Sequence, residues 1–375
     1  MTIFVLEIIF LLCIVLLMQV YIFYPLSLRV FSFFKCSRDK ACPVSTFEKP
    51  ISIIIAAHNE ESVIEEKIKN ILALDYPKDK MEILLGDDGS SDKTAEIAAK
   101  FSEIRLIKKE KNEGKAAMLN DLCKVAKGEI FLFSDANTML ENSALKNLAA
   151  EFENENVGCV CGQLLLKDES GSNLGKTESV YWKTESKLKK LESRFGVVMG
   201  SNGALYAIRS ELYPKLPIHK TVMDDFYITA KILMKNYSCV FCKKALAFEN
   251  TSASKYGEFK RKVRIGRANF NFLFDFLPLL NPLHPIRAYM FLSHKLLRWL
   301  TPFLLLAVFL CSIFLMQKHI FYKAFFAVEL LFIITAFLGV RVCNYFLSMN
   351  FALFLGFCKS FFKEKGGAWK RVERS

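Results

Sequence analysis

The sequence lacks charge over three long stretches, and this lack is the first guide to its class. No charged residue occurs from Ile8 to Leu28 or from Trp299 to Met316, and Ala324 to Val340 contains only Glu329. A helix that crosses a membrane needs about 20 predominantly apolar residues. With a composition that is 52% hydrophobic, these stretches exclude an ordinary soluble protein and predict three membrane spans.

The N-terminal region lacks the marks of a cleaved secretory signal. Such a signal has basic residues before its apolar part and small residues at a cleavage site behind it. The opening residues, MTIFVLE, contain no basic group, and no small-residue site follows the first apolar stretch. We therefore expect an uncleaved membrane anchor over residues 1–34.

The cysteines lack the spacing of a metal site or of a disulfide framework. Cys239 and Cys242 form the one C-x-x-C pair among 11 cysteines, and no second pair accompanies it. A structural zinc site needs four ligands, and an odd number of cysteines in a cytoplasmic segment does not indicate disulfides. We interpret the cysteines as reduced side chains that pack as small hydrophobic groups.

Basic residues gather beside the apolar stretches. Arg29, Lys35, Arg38 and Lys40 follow the first stretch, and the tail behind the last stretch carries Lys359, Lys363, Lys365, Lys370, Arg371 and Arg374. Because cytoplasmic flanks of membrane spans are enriched in such residues, the pattern predicts an external N-terminus, a cytoplasmic middle segment and a cytoplasmic tail. Attraction to anionic lipid headgroups accounts for the net charge of +13, so no nucleic-acid partner is expected.

The middle of the chain alternates between strand and helix periodicity. ISIIIAA, MEILLGD, IRLIKK and EIFLFSD are typical of buried strands, and a segment with helical spacing follows each of them. Such alternation predicts an α/β domain with an open, largely parallel sheet covered on both faces. We assign this domain to residues 48–275. Residues 276–375 are expected to form an interfacial helix, two membrane spans and a basic cytoplasmic tail.

Polar clusters follow three of these strands at the point where each strand ends. HNE follows the first strand, DDGSSD the second and SDAN the fourth. In open α/β sheets, ligands bind at the carboxyl ends of the strands, so the three clusters are expected to converge. A pocket that contains Asp87, Asp88 and Asp135 is strongly acidic, which favours Mg²⁺ or Mn²⁺ bound together with a substrate diphosphate. Each cluster taken alone is also compatible with a turn or a helix cap.

The polar clusters belong to a longer series of motifs that resembles a known family. SIIIAAHNEE, LLGDDGSSDKT, NEGKAAMLN, LFSDANTML, GSNGALYAIR and TVMDDFYI occur in the order and approximate spacing of the family 2 glycosyltransferases, over about residues 50–270. The apolar flanks look like those of the polysaccharide-synthase branch, which includes cellulose, hyaluronan and poly-N-acetylglucosamine synthases. The resemblance implies a Rossmann-like GT-A domain with flanking transmembrane helices, and a nucleotide-sugar donor.

The resemblance also implies roles for particular residues. Asp87 and Asp88 would contact the nucleoside of the donor, with Ala57 and Glu60 beside the base. Asp135 and Asn137 stand at the family's Asp-x-Asp metal motif, although an amide oxygen is a weaker ligand than a carboxylate.

A second set of implied roles concerns the acceptor side of the reaction. Asp225 matches the general base that takes a proton from the acceptor hydroxyl, and Asp224 lies beside it. The alternative for this acidic pair is a helix N-terminus, where acids are favoured. Lys115, at a predicted helix start, is expected near the phosphates or in solvent. Asn202 and Gly203 match a loop under the donor sugar and acceptor, and a plain glycine-rich turn would have the same sequence.

The segment KRKVRIGRANF matches the synthase branch only in part. That branch carries a Gln-x-x-Arg-Trp motif, and the corresponding positions here are Arg261, Arg264 and Ile265. Arg264 retains the charge that binds a diphosphate, whereas the glutamine and the tryptophan are missing. This departure weakens the case for processive polymer synthesis, and a basic segment at a membrane surface is the alternative.

Together with the resemblance, these observations lead us to expect a membrane-bound, metal-dependent, inverting glycosyltransferase with a cytoplasmic catalytic domain. The expected donor is a nucleotide-diphosphate sugar, with a UDP sugar favoured, and the expected acceptor is a cell-surface polysaccharide or a lipid-linked glycan. Transfer to a polyprenyl phosphate is one alternative, and a catalytically silent subunit that binds sugar nucleotides is another. Export or synthase subunits are the further partners that such a protein would have.

Overall fold

The computed structural model describes residues 2–34, 48–167, 173–250 and 255–362. The predicted basic tail beyond residue 362 and the cations Lys35, Arg38 and Lys40 lie outside the described residues. The chain divides into two compact units. One contains Met1–Phe31, Glu258–Leu273 and Leu280–Phe362, and the other contains Ser32–Gly257 and Phe274–Leu279. This division differs from the predicted domain limit at residue 275, because it groups Glu258–Leu273 with the apolar helices. The predicted limit therefore stays a prediction.

Eight strands form one sheet. They are β1 (Ile51–Ala57), β2 (Met81–Asp88), β3 (Arg105–Lys109), β4 (Ile130–Phe133), β5 (Met139–Leu140), β6 (Val157–Lys167), β7 (Tyr206–Arg209) and β8 (Ser238–Asn250). The first four match the predicted strands. Their order in the sheet is β3-β2-β1-β4-β7-β6-β8-β5.

The helices belong to both units. They are α1 (Thr2–Met18), α2 (Tyr24–Phe34), α3 (Ile64–Leu72), α4 (Thr94–Ala98), α5 (Lys115–Val125), α6 (Ala144–Glu151), α7 (Asn173–Ser193), α8 (Asp224–Met234), α9 (Lys255–Asn271), α10 (Leu273–Phe276), α11 (Pro285–Met290), α12 (Leu297–Leu315), α13 (Ile320–Phe337) and α14 (Arg341–Ser360). Short 3₁₀ turns cover Lys78–Lys80, Ser210–Leu212 and Leu277–Leu280, and π-helical turns cover Gln19–Phe23 and Phe291–Leu296.

The sheet is parallel in its first half and mixed in its second. β1 pairs in parallel with β2 and β4, and β2 pairs in parallel with β3. β7 is antiparallel to both β4 and β6, whereas β6 and β8 are parallel. The parallel half therefore brings the carboxyl ends of β1, β2 and β4 to one edge, as the sequence predicts.

The central strands are apolar because both of their faces are covered. All seven residues of β1 are buried, and Ile53 and Ile55 share a hydrophobic cluster with Ile68 of α3. On β2, Gly86 leaves the space that Met118 of α5 occupies, since a Cβ at this glycine would lie 2.2 Å from the Met118 sulfur. Close packing of this kind fixes α3 and α5 against the sheet and so fixes the loops at the strand ends.

Within the described residues, four helices are long and apolar enough to cross a membrane: Ile3–Phe34, Pro285–Leu315, Ile320–Phe337 and Arg341–Ser360. This is one more than the sequence predicts. The additional helix, α14, reaches into the predicted cytoplasmic tail. The interfacial helix was expected over residues 276–298, and this segment contains α11 and the π-helical turn before α12. The nine described cysteines form no disulfide with one another.

Polar side chains inside the apolar helices pair with one another. Gln19 donates hydrogen bonds to Tyr289 Oη at 3.1 Å and to Ser293 Oγ at 2.9 Å, and all three lie in or beside the two π-helical turns. Glu329 accepts a hydrogen bond from Ser312 Oγ at 2.5 Å. Glu329 is therefore a polar contact between α12 and α13.

Candidate active site

Asp87 and Ala57 end two neighbouring strands and form one wall of the site. They are register partners at the carboxyl ends of β2 and β1. Asp87 is only 2% exposed, and its Oδ2 accepts a long hydrogen bond of 3.4 Å from Ser90 N. Its Oδ1 is buried without a hydrogen-bond partner among the described residues. Because a buried carboxylate oxygen without a partner is costly, this atom suits a ligand that carries an N–H or O–H group.

Asp88 supports the neighbouring loop with both of its carboxylate oxygens. Oδ1 accepts a hydrogen bond from Glu113 N at 3.0 Å, and Oδ2 accepts one from Gly114 N at 2.8 Å. Gly114 has a φ of 100°, which favours glycine, and it immediately precedes the first residue of α5, Lys115. Asp88 thus fixes the start of α5 and, with it, the position of Lys115.

His58 and Glu60 tie the segment after β1 to the segments after β2. His58 Nδ1 donates to the carbonyl oxygen of Asp88 at 2.9 Å, which leaves Nε2 to accept from Asn112 Nδ2 at 3.0 Å. The backbone N–H of Glu60 donates to Thr94 Oγ1 at 2.8 Å. His58 belongs to the HNE cluster that was expected at this edge, but the sequence alone assigned it no individual role.

Lys115 joins two acids of the site. Its Nζ donates to Asp135 Oδ1 at 2.8 Å and lies 3.4 Å from Asp224 Oδ2. Burial disfavours the ammonium, but the charges of Asp135 and Asp224 outweigh it and raise the pKa of Lys115. Lys115 is therefore charged at neutral pH, and it connects the turn after β4 with the first residue of α8.

Asp225 and Asp135 face the same space. Asp225 Oδ1 accepts a hydrogen bond from Phe226 N at 2.7 Å, and Oδ2 accepts one from Gly203 N at 3.2 Å. A Cβ at Gly203 would lie 3.5 Å from Asp135 Oδ2 and 3.8 Å from Asp225 Oδ2. Because glycine has no side chain, Gly203 leaves a gap between the carboxylates of Asp135 and Asp225, which belong to different elements.

The environment of Asp225 suits a proton acceptor. Burial and the neighbouring Asp224 carboxylate raise the pKa of Asp225, against the opposing effects of the Phe226 N–H, Lys115 and Lys189. A carboxylate that is held in one orientation and whose pKa lies above its ordinary value has the properties of a general base.

Asn137 and Lys67 shape the turn that carries Asp135. Asn137 Nδ2 donates to the buried Glu249 Oε1 at 3.0 Å. Lys67 of α3 is fully buried, and its Nζ donates to Ser134 Oγ at 2.7 Å and to the carbonyl oxygen of Thr138 at 2.5 Å. Burial lowers the pKa of Lys67 to about 7, although Asp135 and Glu249 act in the opposite direction. Lys67 and Glu249 were both missed by sequence reasoning.

The remaining predicted residues are placed differently. The side chain of Asn202 is buried and points into the protein, where its amide is bonded to Lys189 and to the carbonyl oxygen of Gly162. Arg261 and Arg264 lie on α9 in the other compact unit, and Arg261 is 3.3 Å from Glu258. Contacts of these residues with a substrate stay predictions.

The donor set beside Asp135 fits a hard divalent cation. Asp135 offers a carboxylate and Asn137 an amide oxygen, and oxygen ligands of this kind suit Mg²⁺ or Mn²⁺. The Asp135 and Asp224 carboxylates contact the Lys115 ammonium, and Asp225 adds a third carboxylate next to Asp224. No group of three or more His, Cys, Asp or Glu side chains forms a metal cage within the described part of the chain, so a cation here would also need ligands from a substrate.

The chain resembles curated proteins that make polysaccharides. It is 28% identical to the poly-β-1,6-N-acetyl-D-glucosamine synthase of Staphylococcus epidermidis over 236 aligned positions, in a match that covers 61% of this chain and 57% of that protein. A synthase with the same description from Staphylococcus aureus is 27% identical over 221 residues, 57% of this chain and 53% of that protein. The matched region thus spans a little over half the length of these relatives.

The fold is shared with a solved enzyme. The mannosyltransferase PcManGT from Pyrobaculum calidifontis, solved with GDP-Man and Mn²⁺, matches with a TM-score of 0.71 and 20% identity, over 95% of this chain and 99% of that chain. Residues 52–215 match the family model described as glycosyl transferase family 2. The predicted GT-A fold is thereby confirmed, and so is the resemblance to family 2 glycosyltransferases over the matched part of the chain.

Proposed function

We propose that this protein is a membrane-bound inverting glycosyltransferase. It moves a sugar from a nucleotide-diphosphate sugar, with a UDP sugar favoured, to a cell-surface glycan or a lipid-linked acceptor. The observation that carries the proposal is the gap beside Gly203, where the Asp225 carboxylate stands opposite Asp135 at the edge to which the strand ends converge. The partnerless Oδ1 of Asp87 supports a nucleoside at the same edge.

Asp225 acts as the general base in a single displacement. The acceptor hydroxyl gives its proton to the Asp225 carboxylate while its oxygen attacks the anomeric carbon from the face opposite the diphosphate. The bond from that carbon to the diphosphate breaks, and the nucleoside diphosphate leaves with the bonding electron pair. No covalent intermediate forms, so the anomeric configuration is inverted.

Asp135 and Asn137 serve the leaving group. With a bound Mg²⁺ or Mn²⁺ ion, they and the donor's diphosphate would share a positive charge that stabilises the departing phosphate. Lys115, which is charged and already bonded to Asp135, contributes a second cation on the same side.

The membrane arrangement that we propose keeps three spans. α14 packs along α9, with Phe357 centred 5.0 Å from Phe270 and Gly356 against the backbone of Arg267. α9 carries Lys260, Arg261, Lys262, Arg264 and Arg267, and so many cations are too costly for a bilayer core.

Aromatic contacts support a surface position for α14. The ring centres of Phe357 and Phe303, a residue of α12, are 4.8 Å apart. Phe303 lies only about 8 Å along the axis of α12 from Arg298. The C-terminal half of α14 thus lies near the charged end of α12.

A surface position for α14 gives three spans and a cytoplasmic tail, and a reporter protein fused to the C-terminus tests this arrangement. Green fluorescent protein should fluoresce there, whereas active alkaline phosphatase would instead indicate a fourth span.

The experiment that tests the proposed activity is the release of nucleoside diphosphate by the detergent-purified protein. The donor panel should contain both UDP sugars and GDP sugars, because the solved neighbour holds GDP-Man. Mn²⁺, Mg²⁺ and EDTA form the metal arms. Membrane lipid extract, polyprenyl phosphate and oligosaccharides form the acceptor arms, which separate the alternative acceptors.

The outcomes separate an enzyme from a silent subunit. Turnover with one donor that EDTA abolishes supports the proposal, and the acceptor arm that raises the rate names the acceptor class. Donor binding without turnover in every acceptor arm contradicts it and favours a sugar-nucleotide-binding subunit. The amide of Asn137, which replaces a second carboxylate and contacts Glu249, is the observation that keeps this second candidate in view.

A further inference from the structure

α7 buries a row of charged side chains that the proposed chemistry does not use. Glu185, Lys189 and Glu192 are spaced by four and three residues on one face of the helix, and they are 7%, 4% and 0% exposed. Burying charged groups is unfavourable unless they are paired and hydrogen-bonded. The row contacts the segment that carries Asn202 and Gly203. Glu192 Oε2 accepts a hydrogen bond from Met199 N at 3.0 Å.

Lys189 holds the side chain of Asn202 by a hydrogen bond. Its Nζ donates to Asn202 Oδ1, and Asn202 Nδ2 donates to the carbonyl oxygen of Gly162 on β6 at 2.9 Å. Both ends of the Asn202 amide are thus committed to the protein interior. Asn202 is 2% exposed, so it is held between α7 and β6 and its backbone delivers the next residue, Gly203, to the site.

The same segment holds the base. Gly203 N donates to Asp225 Oδ2 at 3.2 Å. One residue before Asn202, Ser201 Oγ lies 2.8 Å from Thr229 Oγ1, which donates to the carbonyl oxygen of Asp225 at 2.7 Å. The backbone and the carboxylate of Asp225 are therefore both attached to the segment that Lys189 anchors.

We propose that Lys189 is a positioning residue for the transfer reaction: by fixing Asn202, it sets the place of the Gly203 amide and hence the direction of the Asp225 carboxylate. The inference rests on the proposed function, because it concerns the base of that reaction. A displacement of about 1 Å at a reacting group can cost about a hundredfold in rate, so an anchor at this distance matters for kcat.

The charge of Lys189 supports the same role. Burial disfavours its ammonium, but Cys161 and the acidic side chains around it, including Asp225, raise the pKa of Lys189. In return the ammonium lowers the pKa of Asp225, which burial and Asp224 raise. Loss of this charge should move the acid limb of the activity profile to higher pH, an effect that a purely structural anchor would not have.

The experiment compares Lys189→Met, Lys189→Arg and Lys187→Met in the full-length protein. Lys187 is an exposed lysine on the same helix and provides the matched control. Nucleoside diphosphate release is measured with the donor that the wild-type protein turns over, as kcat and KM at a series of pH values. Wild-type protein that turns over no donor would contradict the proposed function itself and is thus separate from a failure of this inference.

The expected result is a kcat that falls about 10- to 100-fold in Lys189→Met. The donor KM should change little, and the acid limb should move to higher pH. Lys189→Arg, which keeps the charge, should restore the acid limb and part of kcat. A kcat of Lys189→Met within twofold of wild type, a loss confined to the donor KM, or an equal loss in Lys187→Met would overturn the inference.

A second variant keeps the test open if Lys189→Met does not fold. Asn202→Ala removes the hydrogen bond with Lys189 but leaves the Lys189 ammonium in place. The kcat should therefore fall about tenfold or more, while the acid limb of the activity profile stays at its wild-type pH. Wild-type kcat in a folded Asn202→Ala protein would show that the anchor is irrelevant to the base and would overturn the inference.

Discussion

Replacement of Asp225 by asparagine tests the proposed chemistry at one atom. The asparagine has the size and shape of the aspartate, and its Oδ1 can still accept the 2.7 Å hydrogen bond from Phe226 N. Removing a buried charge whose pKa is raised relieves a desolvation cost, so the variant should fold. What it cannot do is accept a proton. A general base contributes about 10²- to 10⁴-fold, so kcat should fall by that factor, which is about 3 to 5 kcal/mol in activation free energy.

The pH dependence of the wild-type protein gives the second half of this prediction. Asp225 acts as a base only when it is ionised, and burial with Asp224 raises its pKa. The value of kcat/KM should therefore decline on the acid side at a pH above about 3.9, the ordinary pKa of an aspartate. This limb should disappear in the residual activity of Asp225→Asn, while donor affinity measured by calorimetry stays near that of wild type.

The control is Asp275→Asn, which makes the same chemical change at an exposed aspartate on α10. It should leave both kcat and the acid limb unchanged. Residual activity of Asp225→Asn above a tenth of wild type, with the acid limb still present, would refute the assignment of Asp225 as the base.

Three further predictions concern the surroundings of the site and the packing of the helices. Gly203→Ala places a methyl group 3.5 Å from Asp135 Oδ2 and 3.8 Å from Asp225 Oδ2, so activity should fall at least tenfold with an unchanged unfolding temperature; an active variant would contradict the assigned gap. Lys67→Met should alter the pH dependence of stability, because a pKa lowered to about 7 makes the stability of the wild type rise between about pH 7 and 10; the variant should lack this rise in thermal unfolding, and parallel curves would speak against it. Gly356→Ala would bring a Cβ to 2.7 Å from Arg267 N, which should lower the free energy of unfolding by about 1 to 3 kcal/mol; an unchanged unfolding temperature in detergent would argue against the close contact of α9 and α14.

The parallel half of the fold could be predicted because its signals are local. Ile51–Ala57 is a continuous apolar run of the kind found in strands buried on both faces, and the acids behind β2 and β4 follow strands of the same type. The rule that strand ends share one edge then brings Asp87 and Asp135 to the same side of the sheet. The position of β7 between β4 and β6 could not be predicted, because it depends on pairing between segments far apart in the chain.

The buried lysines show a different limit of sequence reasoning. Lys67 occupies the face of α3 that also carries Ile64, Ile68 and Ile71, so its helical spacing did contain a signal of burial. Lys189 has no such signal, because the charged row on α7 looks like a solvated helix face until the segment it contacts is known. Buried side chains that support a site are therefore harder to predict from the sequence than the side chains that line the site.

The α14 helix shows why span counts are uncertain from composition. Its residues are apolar enough for a span, yet Gly356 and Phe357 contact α9, whose charges no hydropathy window over α14 includes. Whether α14 spans the membrane or lies at its surface therefore depends on the charges of α9, the helix it packs against, and not on the composition of α14 alone.

The stereochemical course of the reaction tests the central claim most directly. With the donor that is turned over, proton NMR of the first product identifies its anomeric configuration, and the account predicts inversion: an α-linked donor gives a β-linked product, because Asp225 activates the acceptor for a single displacement. Retention of configuration would require a covalent intermediate or a different face of attack, and it would contradict the role of Asp225 and the reading of the gap beside Gly203.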